Sequence, residues 1–288
     1  QTSRGEGRRH RRQFCGRKRR RELVSELKLV MAALLLSRSF CSGALDVAAA
    51  PRLSGHSGGR SLGAKKKIRH HVNPLKSHHQ AELAILERWP ERAYAAPAHP
   101  LHVDIGCARG LFCLDLAAAR PELNVLGLEI RAALAEAAEA DARAAGLGNA
   151  HFLACNANVN LDALLRRAAP CCALASASVQ FPDPWFKARH HKRRVVQPPL
   201  ARALAEHLAP GGWLLLQSDV RDVAEAMRAT VRDAAAGLLV DARADADDWS
   251  APKPDALGDL ATERERSVLA GKGKTGDARV YRAVFHKL

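Results

Sequence analysis

Leu101-His102-Val103-Asp104-Ile105-Gly106-Cys107-Ala108-Arg109-Gly110 decides the fold of this chain. Leu101–Gly106 reads as a buried strand, and a helical pattern follows it to about Arg120. Gly106 and Gly110 let the backbone turn tightly and come close to a ligand. Their spacing lacks the Gly-x-Gly of a dinucleotide fingerprint, which argues against NAD. Further strands are expected at Asn124–Ile130, His151–Asn156, Leu174–Phe181 and Trp213–Asp219. Helices are expected up to Ala145, over Leu161–Ala168, over Val195–Leu208 (stopped by Pro210-Gly211-Gly212) and from Arg221 to about Ala236. Gly237–Arg243 and Arg279–His286 supply a final pair of strands. Strands alternating with helices predict an α/β domain, a mostly parallel seven-stranded sheet with helices on both faces. Residues 245–278 are polar and irregular, with no readable period.

In such sheets ligands bind beyond the carboxyl ends of the strands. Asp104, with Gly106 and Gly110, stands at the first of those ends, Glu129 at the second, and Asn156-Ala157-Asn158 at the third. A carboxylate at Glu129 can accept hydrogen bonds from both hydroxyls of a ribose, and an amide at Asn156 can read the edge of an adenine. Any one of these has a bland alternative, a turn glycine or a solvated acid. Their order along three successive strand ends describes a nucleoside pocket without a diphosphate cradle, which fits S-adenosylmethionine.

The fourth strand runs into Phe181-Pro182-Asp183-Pro184-Trp185-Phe186-Lys187-Ala188-Arg189-His190-His191-Lys192-Arg193-Arg194. Two prolines fix the backbone on both sides of the Asp183 carboxylate. Five Lys or Arg and two His then fall within the eight residues 187–194. A carboxylate held beside phosphate-binding cations suggests chemistry on a nucleic-acid base. The plainer alternative is a turn followed by a solvated basic loop.

The formal net charge is +15. Residues 1–80 hold 19 Lys or Arg against 4 Asp or Glu, and residues 81–288 hold 26 of each. The body is therefore neutral, and its basic cluster is a local patch suited to phosphates. The excess lies in a leader, and the expected division is 1–64 leader and 65–288 domain. Residues 1–30, dense in Arg and opening on Gln1, are expected to be upstream sequence read in frame, with Met31 as the start. Met31 to Arg60 holds one acid, Asp46, among many Ser, Ala, Leu and Arg. That is the composition of an organelle transit peptide, a chloroplast one before a mitochondrial one. The alternative is a basic arm on a cytoplasmic or nuclear protein. No stretch is apolar enough to span a membrane. The seven cysteines form no Cys-x-x-Cys pair, so neither zinc nor a disulfide framework is expected.

From about Arg69 to Phe285 the chain resembles the tRNA (guanine-N7-)-methyltransferases of bacterial type. The resemblance is carried by Phe181-Pro182-Asp183-Pro184-Trp185, Lys187, Arg189-His190, Lys192-Arg193-Arg194 and Val196-Gln197-Pro198. His71-Val72-Asn73-Pro74-Leu75 and Thr262-x-x-Glu265 also match. It implies the Rossmann-like class I methyltransferase sheet with one antiparallel strand near its edge, and methyl transfer to N7 of guanine-46 in the tRNA variable loop. By matching motif, Asp104, Glu129 and Asn156 bind the cofactor, with Gly106, Gly110 and Ala157 beside them. Asp183, Lys187, Asp219, Thr262 and Glu265 face the guanine or its surroundings, and Asp183 is the catalytic candidate. Arg189, Lys192, Arg193 and Arg194 hold the tRNA backbone. The bacterial form acts alone, so a monomer without an obligatory protein partner is expected. This chain departs from the pattern at Arg264, where an aromatic is common.

Guanine N7 is a lone-pair nucleophile and needs no deprotonation before attacking a sulfonium methyl. Alignment and electrostatics therefore suffice, and no nucleophilic triad is required. Two rival readings stay open here. One is a small-molecule methyltransferase, which the basic string speaks against. The other is a non-catalytic RNA-binding protein on the same fold, which Gly106, Gly110 and Glu129 speak against.

Overall fold

The computed structural model describes residues 72–85, 88–243, 245, 247–273 and 278–288. The expected leader, the basic entry segment from Lys65 to His71, and residues 274–277 of the last loop lie outside the described residues. Seven strands form one sheet: β1 Leu101–Ile105, β2 Asn124–Glu129, β3 Ala150–Ala154, β4 Leu174–Gln180, β5 Leu208–Ser218, β6 Leu239–Asp241 and β7 Tyr281–Lys287. Their order is β3-β2-β1-β4-β5-β7-β6. β7 runs antiparallel to both of its neighbours, and the other pairs are parallel. The single antiparallel strand therefore lies one place in from the edge.

β1 and β2 are buried along their whole length, as parallel strands covered on both faces must be. Successive residues feed opposite faces. Val125 and Leu215 join one apolar cluster, while Leu126, Leu214 and Leu216 join the other. The helices α1 (Leu111–Ala119) and α2 (Ala132–Ala144) close the first face through Leu116, Ala138 and Ala142. α3 (Ala157–Ala168), α4 (Pro198–His207) and α5 (Arg221–Ala234) close the second through Leu161, Leu200 and Val223. A sixth helix, α6 (Glu263–Ser267), follows the irregular segment after β6.

Three boundaries differ from the sequence expectation by three residues or more, each for a local reason. α3 starts at Ala157, not Leu161, because the Asn156 side chain accepts the Asn158 N–H at 3.1 Å and caps a turn that hydrophobic periodicity does not show. α4 starts at Pro198, not Val195, since proline suits the first helical position and keeps the residues before it extended. β5 starts at Leu208 and runs through Pro210-Gly211-Gly212, which looked like a helix stop. Its pairing with β4 jumps from Leu174↔Leu208 to Ser176↔Trp213, and Gly211 takes up the excursion at φ +77°.

β1 carries two buried polar residues. The His102 ring nitrogens lie 2.8 Å from Ser176 Oγ and 3.1 Å from Ser178 Oγ on β4. Burial pushes the His102 pKa down to about 3, so the ring is neutral and serves as a hydrogen-bonded core residue. Ser178 in turn donates to Asp104 Oδ1 at 2.6 Å. This polar column leads from the middle of the sheet to its carboxyl edge.

Candidate active site

A cavity of about 720 Å³ opens at the carboxyl ends of β1 to β4, within the usual size range of small-molecule sites. Asp104, Gly106, Glu129, Asn156 and Ala157 line it, and so does Asp183. The structure thus brings together residues from four separate strand ends. Gly110 lies behind the wall as the residue before α1, at φ +71°. A Cβ there would come within 2.5 Å of the Phe152 ring, so only glycine fits this turn.

Asp104 is buried and accepts hydrogen bonds from Ser178, from Gln180 Nε2 at 3.2 Å and from the Cys113 thiol at 3.6 Å. Burial raises its pKa, and the hydrogen bonds oppose that rise. Glu129 is also buried, and donors surround its carboxylate. Oε1 accepts from Arg131 N–H at 2.9 Å and Arg131 Nε at 2.8 Å. Oε2 accepts from Ala108 N–H at 3.0 Å and Arg131 Nη2 at 3.1 Å. Two of these four donors are backbone groups fixed by the turns after β1 and β2. The other two belong to one long side chain.

Arg131 was not foreseen from the sequence. It lines the cavity, and its hydrogen bonds to Glu129 raise its pKa against the opposing effect of burial. The charges of Glu129 and Asp183 add to that rise, so one guanidinium is shared electrostatically by two strand ends. The signal available was a cation two residues after a strand-end acid, which is common and weak. Cys155 also lines the cavity, and burial pushes its thiol up to about 12, so it stays protonated and is no nucleophile.

Asn156 is placed as expected, but its amide has local work. Oδ1 caps α3, and Nδ2 donates to Pro74 O at 3.3 Å. The backbone N–H of Ala157 belongs to the first turn of α3, where a helix cannot satisfy its own donors.

The corner after β4 is held in an unusual shape. Phe181 and Trp185 take φ of +49° and +45°, values that bulky residues rarely adopt. Between them lie Pro182, Asp183 and Pro184, with Pro184 buried. The Trp185 ring packs edge-on to His190 at 5.8 Å, and the Arg193 guanidinium sits 5.0 Å from its centroid. Residues Ala188–Arg193 form a 3-10 turn that leaves Lys187, Arg189 and Lys192 exposed. Arg193 lines the cavity, and its Nε is buried with no hydrogen-bond partner among the described residues.

Three expectations need correction. Arg194 is not a phosphate contact: it is buried, donates to Pro184 O at 3.0 Å and pairs with Asp222. It pins the acidic corner to α5. Glu265 does not face the cavity either. It is buried and ion-paired with Lys253 at 3.0 Å and Arg282 at 2.9 Å, and it accepts from Gln217 Nε2 at 3.3 Å. Asp219 is buried behind Arg264, which pairs with it and itself lines the cavity. In each case a charged residue that a linear motif offers to the substrate is spent on a neighbour, because a buried charge must be paired. Thr262 does reach the cavity, and its hydroxyl caps α6 by accepting the Glu265 N–H at 3.0 Å.

Among the described residues there is no cluster able to hold a metal ion, and no helix long and apolar enough to cross a membrane. The profile of a family described as putative methyltransferase matches residues 98–278. A tRNA (guanine-N(7)-)-methyltransferase of Thermosynechococcus vestitus is 46% identical over 221 residues, which cover 77% of this chain and 95% of that one. The enzyme of the same name from Synechococcus elongatus is 50% identical over 162 residues, 56% of this chain and 74% of the other. Among solved structures, the aminoglycoside resistance methyltransferase NpmB1 is similar at 19% identity and a TM-score of 0.42. That alignment covers 69% of this chain and 91% of the other, a likeness too slight to add to the topology.

Proposed function

The chain belongs to the tRNA (guanine-N(7)-)-methyltransferase family, and we propose that the guanine whose N7 it methylates, from S-adenosylmethionine, is guanine-46 of the variable loop. One observation carries the reading. A cavity walled by four strand ends takes the Asp183 corner as part of its wall, and the exposed cations Lys187, Arg189 and Lys192 follow within nine residues. A small-molecule methyltransferase has no use for that basic run. If tRNA methylated by the protein is cleaved chemically at 7-methylguanosine, the break should fall at position 46. Breaks elsewhere would refute that position while leaving the reaction class intact.

The residues fit the cofactor. S-adenosylmethionine supplies an electrophilic methyl group on a sulfonium. The Glu129 carboxylate would hold the ribose hydroxyls, and the backbone N–H groups of Ala108 and Arg131 keep it oriented. The Ala157 N–H would serve the adenine edge, with the Asn156 side chain fixing the turn that presents it. Asp104, held by Ser178, Gln180 and Cys113, would line the cofactor site next to the Gly106–Gly110 turn.

Asp183 faces the guanine. Its carboxylate accepts from the N1 and N2 donors of the base and stabilises the positive charge that spreads over the purine as N7 is methylated. The base must leave its stack to reach a cavity of this kind. Arg193, fixed over Trp185, adds a donor at the cavity wall. Lys187, Arg189 and Lys192 take backbone phosphates, which position the tRNA without reading sequence. Asp219, Thr262 and Glu265 act at one remove, by holding Arg264 and α6 in place. We assign a monomer as the working unit, following the resemblance to the bacterial form.

Two experiments bear on the outer parts of this reading. Replacing Arg189 and Lys192 with Ala should weaken tRNA binding and make its salt dependence shallower by roughly 1.4–1.8 in slope, about two phosphate contacts. S-adenosylhomocysteine affinity should stay unchanged. Equal loss of both affinities would instead make the segment structural. The leader, poor in acids and rich in Ser and Arg, is proposed as a chloroplast transit peptide. Sequencing the amino terminus of native protein should find a start near Gly55–Lys65, and a start upstream of Met31 would contradict it.

A further inference from the structure

Phe186 is 67% exposed, and it is the only aromatic among the large apolar side chains left open to solvent in the described residues. Its neighbour Trp185 has the same chance to face solvent but does not take it. The Trp185 ring is held between His190 and Arg193 and lines the cavity. The difference comes from the backbone. Phe181 and Trp185 are both held at positive φ, on either side of two prolines, and Arg194 ties the Pro184 carbonyl to α5. A corner built this way has little freedom to fold its next residue inward, and conformations of this cost persist only where the surroundings enforce them. Phe186 is therefore presented outward by a rigid mount, directly after a cavity-wall residue and directly before the exposed cation Lys187.

The surroundings select the ligand. Lys187, Arg189 and Lys192 are all exposed within six residues of Phe186. A protein partner would need an apolar patch, and an isolated ring among cations does not make one. Unpaired nucleotides need both features together: cations for the phosphates and an aromatic face for the base. We propose that Phe186 is a stacking platform for an unpaired nucleobase of the tRNA next to the guanine held in the cavity. The proposal rests on tRNA being the substrate. When one guanine leaves its stack, a neighbouring base loses a stacking partner, and Phe186 replaces that partner at the cavity's mouth. The contact favours the extruded arrangement without reading sequence, because every base has a stacking face.

The test uses the full chain and bulk tRNA, with three variants: F186A, F186L and F186W. F186A should raise the KM for tRNA about tenfold, within the range that one base–aromatic stack is worth. F186W should restore it and F186L should not, since an aliphatic side chain supplies contact without stacking. The salt dependence of tRNA binding should keep its slope in all three, unlike the loss expected for Arg189 and Lys192. S-adenosylhomocysteine affinity should also be unchanged. An unaltered KM in F186A overturns the proposal, and so does rescue by F186L as complete as that by F186W. If the unmodified protein does not methylate tRNA at all, the functional reading fails. If it does and F186A behaves like it, the stacking platform alone fails.

Discussion

Asp183→Asn should lower kcat by about 10²–10³ and change the affinity for S-adenosylhomocysteine by less than about twofold. Pro182 and Pro184 fix the backbone, and Phe181 and Trp185 hold their unusual φ values whatever the side chain between them. Asn keeps the size of Asp, so the corner survives. What is lost is a negative charge facing a base that becomes cationic only as the methyl group moves. Removing one such contact costs roughly 2.7–4 kcal/mol where it has been measured at other sites. An interaction made mainly in the transition state appears in kcat more than in binding. Asp183 also contributes to the field that keeps Arg131 charged, so a modest change in that pair is expected without loss of the cofactor site. Steady-state kinetics with tRNA and calorimetry with S-adenosylhomocysteine check both halves. Near-normal turnover in the Asn variant would reduce Asp183 to a turn former.

Arg228→Met should destabilise the fold strongly without touching the cavity. Arg228 on α5 is buried and donates to both carboxylate oxygens of Asp241, at 2.7 and 3.1 Å. It also donates to three carbonyls of the following segment: Arg243 O at 3.0 Å, Asp245 O at 3.0 Å and Asp248 O at 2.9 Å. Trp249 covers the guanidinium at 4.9 Å. Methionine fills the space but leaves Asp241 with only Arg232 and the Arg243 N–H among these donors, and three carbonyls without this guanidinium. Breaking one partner of a buried pair costs about 3–5 kcal/mol. For a domain of this size that is a melting temperature lower by roughly 6–20 °C. Cofactor affinity measured well below the transition should hold, since Arg228 does not line the cavity. A fall of under about 2 °C would show that the segment is held by something else.

The same arginine explains why part of the fold could not be read. β1 and β2 were legible because strands buried on both faces announce themselves as apolar runs, and the ends of β1 to β3 carried Asp104, Glu129 and Asn156 in order. The residues after β6 have no period to announce, because their shape is set by side-chain hydrogen bonds from Arg228 and Arg232 to backbone carbonyls. A lone arginine in a helix looks like surface in a sequence. The same limit produced the errors in the site. A linear motif shows that Arg194, Asp219 and Glu265 are charged; only the folded chain shows that Asp222, Arg264 and the pair Lys253–Arg282 have already taken them. Arg131 was missed for the converse reason: its importance comes from lying between Glu129 and the field of Asp183, two residues 54 positions apart in the chain.

The most direct measurement combines the purified full chain, bulk unmodified tRNA and S-adenosylmethionine labelled in its methyl group, followed by digestion to nucleosides. Label recovered in 7-methylguanosine, and lost in the Asp183→Asn variant, is the expected result. Label in another nucleoside, or none in tRNA while S-adenosylhomocysteine still binds, would contradict the assignment of this cavity to guanine N7 methylation.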